Sequence, residues 1–288
     1  MIISNSPLFN EYVLTALESE ICDARAPYSP LRVVDTIVQH LLDHTGIQIT
    51  RFKISNPSED SFNLSIEGRM FCIGMISSAI NATEASLSFN ETAFGRIKLP
   101  QIQASFWGTN FAIQEQRVDI TNYTNHCAFI RSTIVNDETI LQLENNKCTV
   151  RALGTSSLCH LRLDMPLKAI GGPRIAVKNV SRLGNNVTII FKLNLSSPVE
   201  FNHGCCIFEL RNGHGETLTE LKGELNLVTG QTDLSLYGTA RDGVKHSSRT
   251  RLVGIGVEAN EKSWLNETIR EIDVVIDLEP KCMEILWC

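Results

Sequence analysis

The sequence predicts a mainly β protein: two tandem antiparallel β-sandwich domains, immunoglobulin-like in type, behind a short helical N-terminal segment. Three observations carry this expectation. From Ile47 onward, apolar and polar residues alternate over strand-length runs. Such runs recur about every 8 to 12 residues between turn residues, the spacing of antiparallel sandwiches rather than of βαβ units. The chain also nearly repeats itself. ITRFKISNPSEDSFNLSIEGRM (Ile49 to Met70) and RIAVKNVSRLGNNVTIIFKLNLSSPVEF (Arg174 to Phe201) each place a strand, a polar Asn/Ser turn and an alternating strand. A repeat this widely spaced suggests two domains rather than a solenoid, and 288 residues suffice for two cores.

Taken in order, residues 1–46 read as helical. Leu8, Tyr12, Val13, Ala16 and Leu17 recur at helical spacing, Ser29 and Pro30 can open a second helix, and its stripe is Val34, Ile37, Val38, Leu41 and Leu42, with Gly46 as the stop. Residues 47–170 form the first expected sandwich, with inward positions such as Phe62, Leu64, Ile66 and Leu161, Leu163, Met165. Gly171-Gly172-Pro173 punctuates the chain and marks the boundary. Residues 171–288 form the second sandwich. Val187, Ile189, Phe191, Leu193 and Leu195 make its clearest strand, and Thr229-Gly230-Gln231 turns a hairpin. A helix over Lys262 to Arg270 and a strand from Ile272 to Leu278 close the chain.

Composition narrows the function classes. The net charge is −6, and no Lys/Arg cluster interleaves with aromatics, so nucleic acid is not an expected partner. No segment holds the roughly 20 consecutive apolar residues of a membrane span, and the opening MIISNSPLFNEY shows no signal-peptide pattern. The 9 cysteines form no CxxC pair and read as small core residues. A disulfide involving Cys148 and Cys159 is the alternative.

The glycosylation sequons are more telling. Asn-X-Ser/Thr occurs at Asn63, Asn81, Asn90, Asn122, Asn179, Asn186, Asn194 and Asn266. With 21 Asn and 44 Ser plus Thr among 288 residues, chance gives about 3 such sites. The excess favours a secretory-pathway lumen, with the cytoplasm as the alternative.

The search for chemistry returns little. His40 and His44 are spaced for one helical face, but the base of an HExxH motif is missing, so no metal site is assigned. His126-Cys127, Cys159-His160 and His203-Gly-Cys205-Cys206 raise a thiol nucleophile. Strand neighbours point to opposite faces, so adjacent pairs make poor dyads. Gly213-His-Gly215 and Gly254-Ile-Gly256 read as turns or bulges, and there is neither a GxSxG elbow nor a P-loop. No catalytic, metal or cofactor residue is assigned. The expectation is a non-enzymatic protein without a cofactor, a hydrolase of unrecognised arrangement being the competing class.

Four stretches, ISNPSEDSFNLSIEGRM (54–70), ETAFGRIKLPQI (91–102), LNLSSPVEFNHGCCIFEL (193–210) and SWLNETIREIDVVIDLEP (263–280), in that order, resemble a fungal family of unknown function. Its tandem modules are similar to the late-embryogenesis-abundant type 2 β-sandwich. The chain departs from the family's pattern in having Ser197-Pro198 where asparagine-proline is usual. The resemblance implies paired sandwiches on the lumenal side of a vacuolar or related membrane, joined to it by a segment not in this chain; one yeast relative acts in terminating autophagy. It implies interaction or sensing with a protein partner or a lipid. A groove between apolar faces such as Val187, Ile189 and Phe191 would serve the lipid-handling alternative.

Overall fold

The computed structural model describes residues 36, 38–40, 42, 43, 45–71, 78–105, 107–152, 154–172, 174–241, 243, 249–258 and 264–287. It is mainly β, with two sheets. The strands are β1 (Gly46–Ser55), β2 (Ser61–Phe71), β3 (Ser78–Ile80), β4 (Thr83–Phe89), β5 (Thr92–Leu99), β6 (Ile102–Ala104), β7 (Thr109–Asp119), β8 (Glu138–Ala152) and β9 (Thr155–Lys168). After them come β10 (Arg174–Leu183), β11 (Asn186–Leu195), β12 (Val199–Asn212), β13 (Thr217–Leu227), β14 (Gly230–Ala240), β15 (Arg249–Val257) and β16 (Asp273–Asp277). Helices α1 (Tyr123–Val135), α2 (Trp264–Ile269) and α3 (Pro280–Trp287) accompany them. Of the expected N-terminal segment 1–46, Thr36, Val38, Gln39, His40, Leu42 and Asp43 are described as helical, Thr45 follows them, and Gly46 already belongs to β1. The rest of that segment, His44 and Cys22 included, lies outside the described residues, as do Cys72, Cys288, Pro173 and Lys262.

The contacts divide the chain into two compact units. The first comprises Met1–Thr50, Ile66–Gln116 and Ile140–Pro166; the second comprises Arg51–Ser65, Arg117–Thr139 and Leu167–Cys288. Strands β1, β2, β7, β8 and β9 therefore contribute residues to both. The Gly171-Gly172 punctuation falls between β9 and β10.

In the first unit, one sheet runs β5-β4-β8-β3-β6 with β9 on β8. Strand β9 shows why these residues pair: Ser157, Cys159, Leu161, Leu163 and Met165 are buried while their neighbours are exposed. Asn90 and Glu91 join β4 to β5 with positive φ at both positions (48° and 63°), as a two-residue hairpin turn demands.

In the second unit, the order is β10-β11-β14-β13-β12-β1, with β15 on β12 and β16 on β15. The alternation read in β11 is the alternation found: Val187, Ile189, Phe191, Leu193 and Leu195 are all buried. The hairpin between β13 and β14 turns at Gly230, whose φ is +97°. One pair departs from the antiparallel expectation. Strand β1 lies parallel to β12, Phe52 opposite Val199 and Ile54 opposite Phe201. Parallel neighbours need a long connection, and here residues 56–198 intervene.

Helix α1 has no counterpart in the sequence reading. Asn122 caps it, its side-chain oxygen accepting from the Asn125 N–H at 3.1 Å. It buries His126, Phe129, Ile130, Thr133 and Ile134, with Phe129 edge-on to Phe52 at 5.9 Å. The Gly254/Gly256 pair has a packing reason. A Cβ on Gly254 would stand 2.0 Å from the Ile269 carbonyl oxygen, and one on Gly256 2.7 Å from Asn266 Oδ1. The two glycines let α2 lie directly on β15.

Candidate functional site

The thiol-bearing stretch of β12 sits in the second unit where chemistry-bearing side chains adjoin an open cleft. Strand β12 bulges between Asn202 and Gly204, and Gly204 takes φ +69°, a conformation glycine adopts without strain. The extra residue breaks the alternation. His203 and Cys206 are buried, while Cys205 is half-buried. Beside them lies a cleft of about 470 Å³, with Asn56, Glu59, His203, Cys205, Glu258 and Leu265 in its walls.

The electrostatics of this cleft oppose nucleophilic chemistry. Burial, with the Glu258 carboxylate as the second cause, pushes the Cys205 thiol above its ordinary range. Glu258 in turn is held below the usual carboxylate range, first by the Cys205 thiol donating to it and then by Lys222, whose Nζ is 3.5 Å away. Burial pushes Cys206 up to about 12. His203 is lowered to about 4 by burial, and its ring nitrogens have no hydrogen-bond partner among the described residues. The imidazole therefore does not reach either thiol as a base, which a thiol nucleophile requires.

The other histidine–cysteine pairs fall apart for different reasons. Cys159 is buried in β9 and His160 is exposed, its ring 3.0 Å from Asn146 Oδ1, which is the opposite-face geometry of strand neighbours. His126 and Cys127 lie on α1 rather than on a strand. The His126 ring stacks on Phe62 at 4.9 Å and meets Trp264 edge-on at 4.7 Å, and burial lowers it to about 3. Burial pushes Cys127 up to about 12, with Glu267 adding to it. Cys148 and Cys159 are both buried, and they form no disulfide with one another. Among the described residues no three of His, Cys, Asp or Glu gather as metal ligands, and no helix is long and apolar enough to cross a membrane.

The sequon asparagines divide by exposure. Asn90, Asn179, Asn186 and Asn194 are exposed; Asn63, Asn81 and Asn122 are half-buried. Asn266 is buried, and its Oδ1 accepts from the Val257 N–H at 2.7 Å. Val187, Ile189 and Phe191, the face considered for an acyl groove, are 1% exposed or less.

No known protein family matches the chain, and no curated protein matches it. Among solved structures it is similar to red sea bream transglutaminase, at 11% identity and TM-score 0.24, over 81% of this chain and 31% of that one. It is also similar to CBD12 from CALX1.2, at 7% identity and TM-score 0.18, over 79% of this chain and 100% of that one. A third likeness is to the CsuC-CsuE chaperone-tip adhesion subunit complex of Acinetobacter baumannii, at 10% identity and TM-score 0.20, over 82% and 99%. The chain thus spans under a third of the transglutaminase's length, and likenesses this weak carry no functional reading.

Proposed function

We propose that the chain is a non-enzymatic, lumenal module of a membrane-associated protein, acting in interaction or sensing. Its strands are read as tandem immunoglobulin-like sandwiches of the late-embryogenesis-abundant type 2 kind, and the vacuolar lumen is the compartment the family resemblance implies. The observation that carries the lumenal reading is the outward placement of Asn179, Asn186 and Asn194 on β10 and β11, with Asn90 at a hairpin tip. A glycan on any of the four would stand in solvent. The raised thiols of Cys127, Cys205 and Cys206 support a non-catalytic reading of the cysteine motifs. An endoglycosidase mobility shift on the protein expressed from its own locus tests the proposal. A shift of several glycans is expected; an unshifted band would remove the lumenal reading.

A further inference from the structure

One end of the first unit gathers an apolar and cationic tip. Ser78 of β3 pairs with both Ala104 of β6 and Ala152 of β8, and Phe71 of β2 bridges to Ser105. Four strand ends and the turn at Ser105 to Gly108 therefore meet there. Trp107, at the apex of that turn, is 79% exposed. The turn is built to present it. Gly108 takes φ +79°, and its N–H returns to the Ser105 carbonyl at 2.9 Å. Arg69 donates to the Trp107 carbonyl oxygen, with its guanidinium 5.2 Å from the centre of the Phe71 ring. A Cβ at Gly108 would lie within 2.8 Å of both Arg69 and Phe71.

The charge of this end is opposite to that of the chain. The net charge is −6, yet residues 68–83, 101–114 and 149–157, which supply these strand ends, contain no Asp or Glu. They do contain Arg69 and Arg151. Arg69 and Arg151 are both exposed, and Arg151 pairs with Ala79, one residue from the convergence at Ser78. Tryptophan is the side chain that settles at a membrane–water boundary, its ring in the apolar layer and its N–H toward water. Basic residues near an anionic bilayer are each attracted to it.

We infer that this tip docks on an anionic lipid surface, Trp107 entering the headgroup boundary while Arg69 and Arg151 meet the negative headgroups. A bilayer fits this chemistry because an exposed indole beside two exposed guanidinium groups matches the boundary between apolar layer and anionic headgroups. The lipid surface would be the partner of the interaction module proposed above, and the inference rests on that reading. Vesicle binding and glycan occupancy are read independently, so either can fail alone.

The test is flotation of the full chain with phosphatidylcholine vesicles carrying phosphatidylserine, and with phosphatidylcholine alone, at low and high salt. Binding to the anionic vesicles, weakened by salt, is expected. Trp107→Ala should lower it at least about tenfold and Arg151→Glu at least about fivefold. Both side chains are exposed, and circular dichroism confirms folding of each variant. Absence of binding by the parent chain overturns the inference, as does undiminished binding by both folded variants. Concentration-dependent dimerisation abolished by Trp107→Ala would overturn it in favour of a second copy as the occupant.

Discussion

Acidification should loosen the second unit through two buried histidines, and the size of the effect follows from their surroundings. His126 is enclosed by Phe62 and Trp264, with Tyr123, Cys127 and Glu267 the titratable groups nearby on α1 and α2. His203 is enclosed in the β12 bulge against Phe201, 5.5 Å away. Burial lowers them to about 3 and about 4. In the unfolded chain both titrate near 6.5. As pH falls, the unfolded chain binds protons first, so stability is complete above about 6.5 and declines below it. At pH 5 each group has lost about 1.5 units at roughly 1.4 kcal/mol per unit, or ~2 kcal/mol, and the pair ~4 kcal/mol. That is a large share of the roughly 5–15 kcal/mol of an ordinary domain. His126→Phe keeps a ring between Phe62 and Trp264 and removes one titration. Urea unfolding at pH 8 and pH 5 reads the result. The variant should lose about 2 kcal/mol less than the parent between the two values; equal losses would refute the reasoning.

Four further outcomes follow from the packing and the thiols. Gly254→Ala forces α2 off β15 and should destabilise the second unit by roughly 1–3 kcal/mol, seen as a lowered thermal midpoint. Asn122→Ala removes the α1 cap and should cost about 1 kcal/mol in the same measurement. Cys205 should react with iodoacetamide at pH 7.4 more slowly than a free cysteine, because the thiolate is the reactive form. Glu258→Gln should speed that reaction, since it removes an anion that disfavours the thiolate.

What was legible in the sequence was periodicity. The alternation of β9 and β11 is unbroken, so their buried faces could be named in advance, and Gly230 marked its hairpin. A helix is expected within Lys262 to Arg270, and α2 lies there with Trp264 and Leu265 buried. Helix α1 was not legible. Its buried face mixes Phe129, Ile130 and Ile134 with His126 and Thr133, and its cap is an asparagine that also opens a sequon. The bulge at Gly204 was equally hidden, because the inward face of a strand changes phase there and only pairing with β13 reveals it. The parallel seating of β1 on β12 depends on residues far apart in the chain, and no local pattern encodes such a pairing. The Trp107 tip was invisible for the same reason. Its strand ends come from separate parts of the sequence, and the lack of acidic residues becomes a surface property only once they converge.

Site-resolved glycopeptide mapping of the protein from its native compartment tests the central claim most directly. Enzymatic deglycosylation in heavy-oxygen water would mark each formerly occupied asparagine. Occupancy at Asn90, Asn179, Asn186 and Asn194, with Asn266 unmodified, is the expected result. An unmodified chain at all eight sequons would contradict the lumenal account, and occupancy at Asn266 in the folded protein would contradict the packing of α2 on β15.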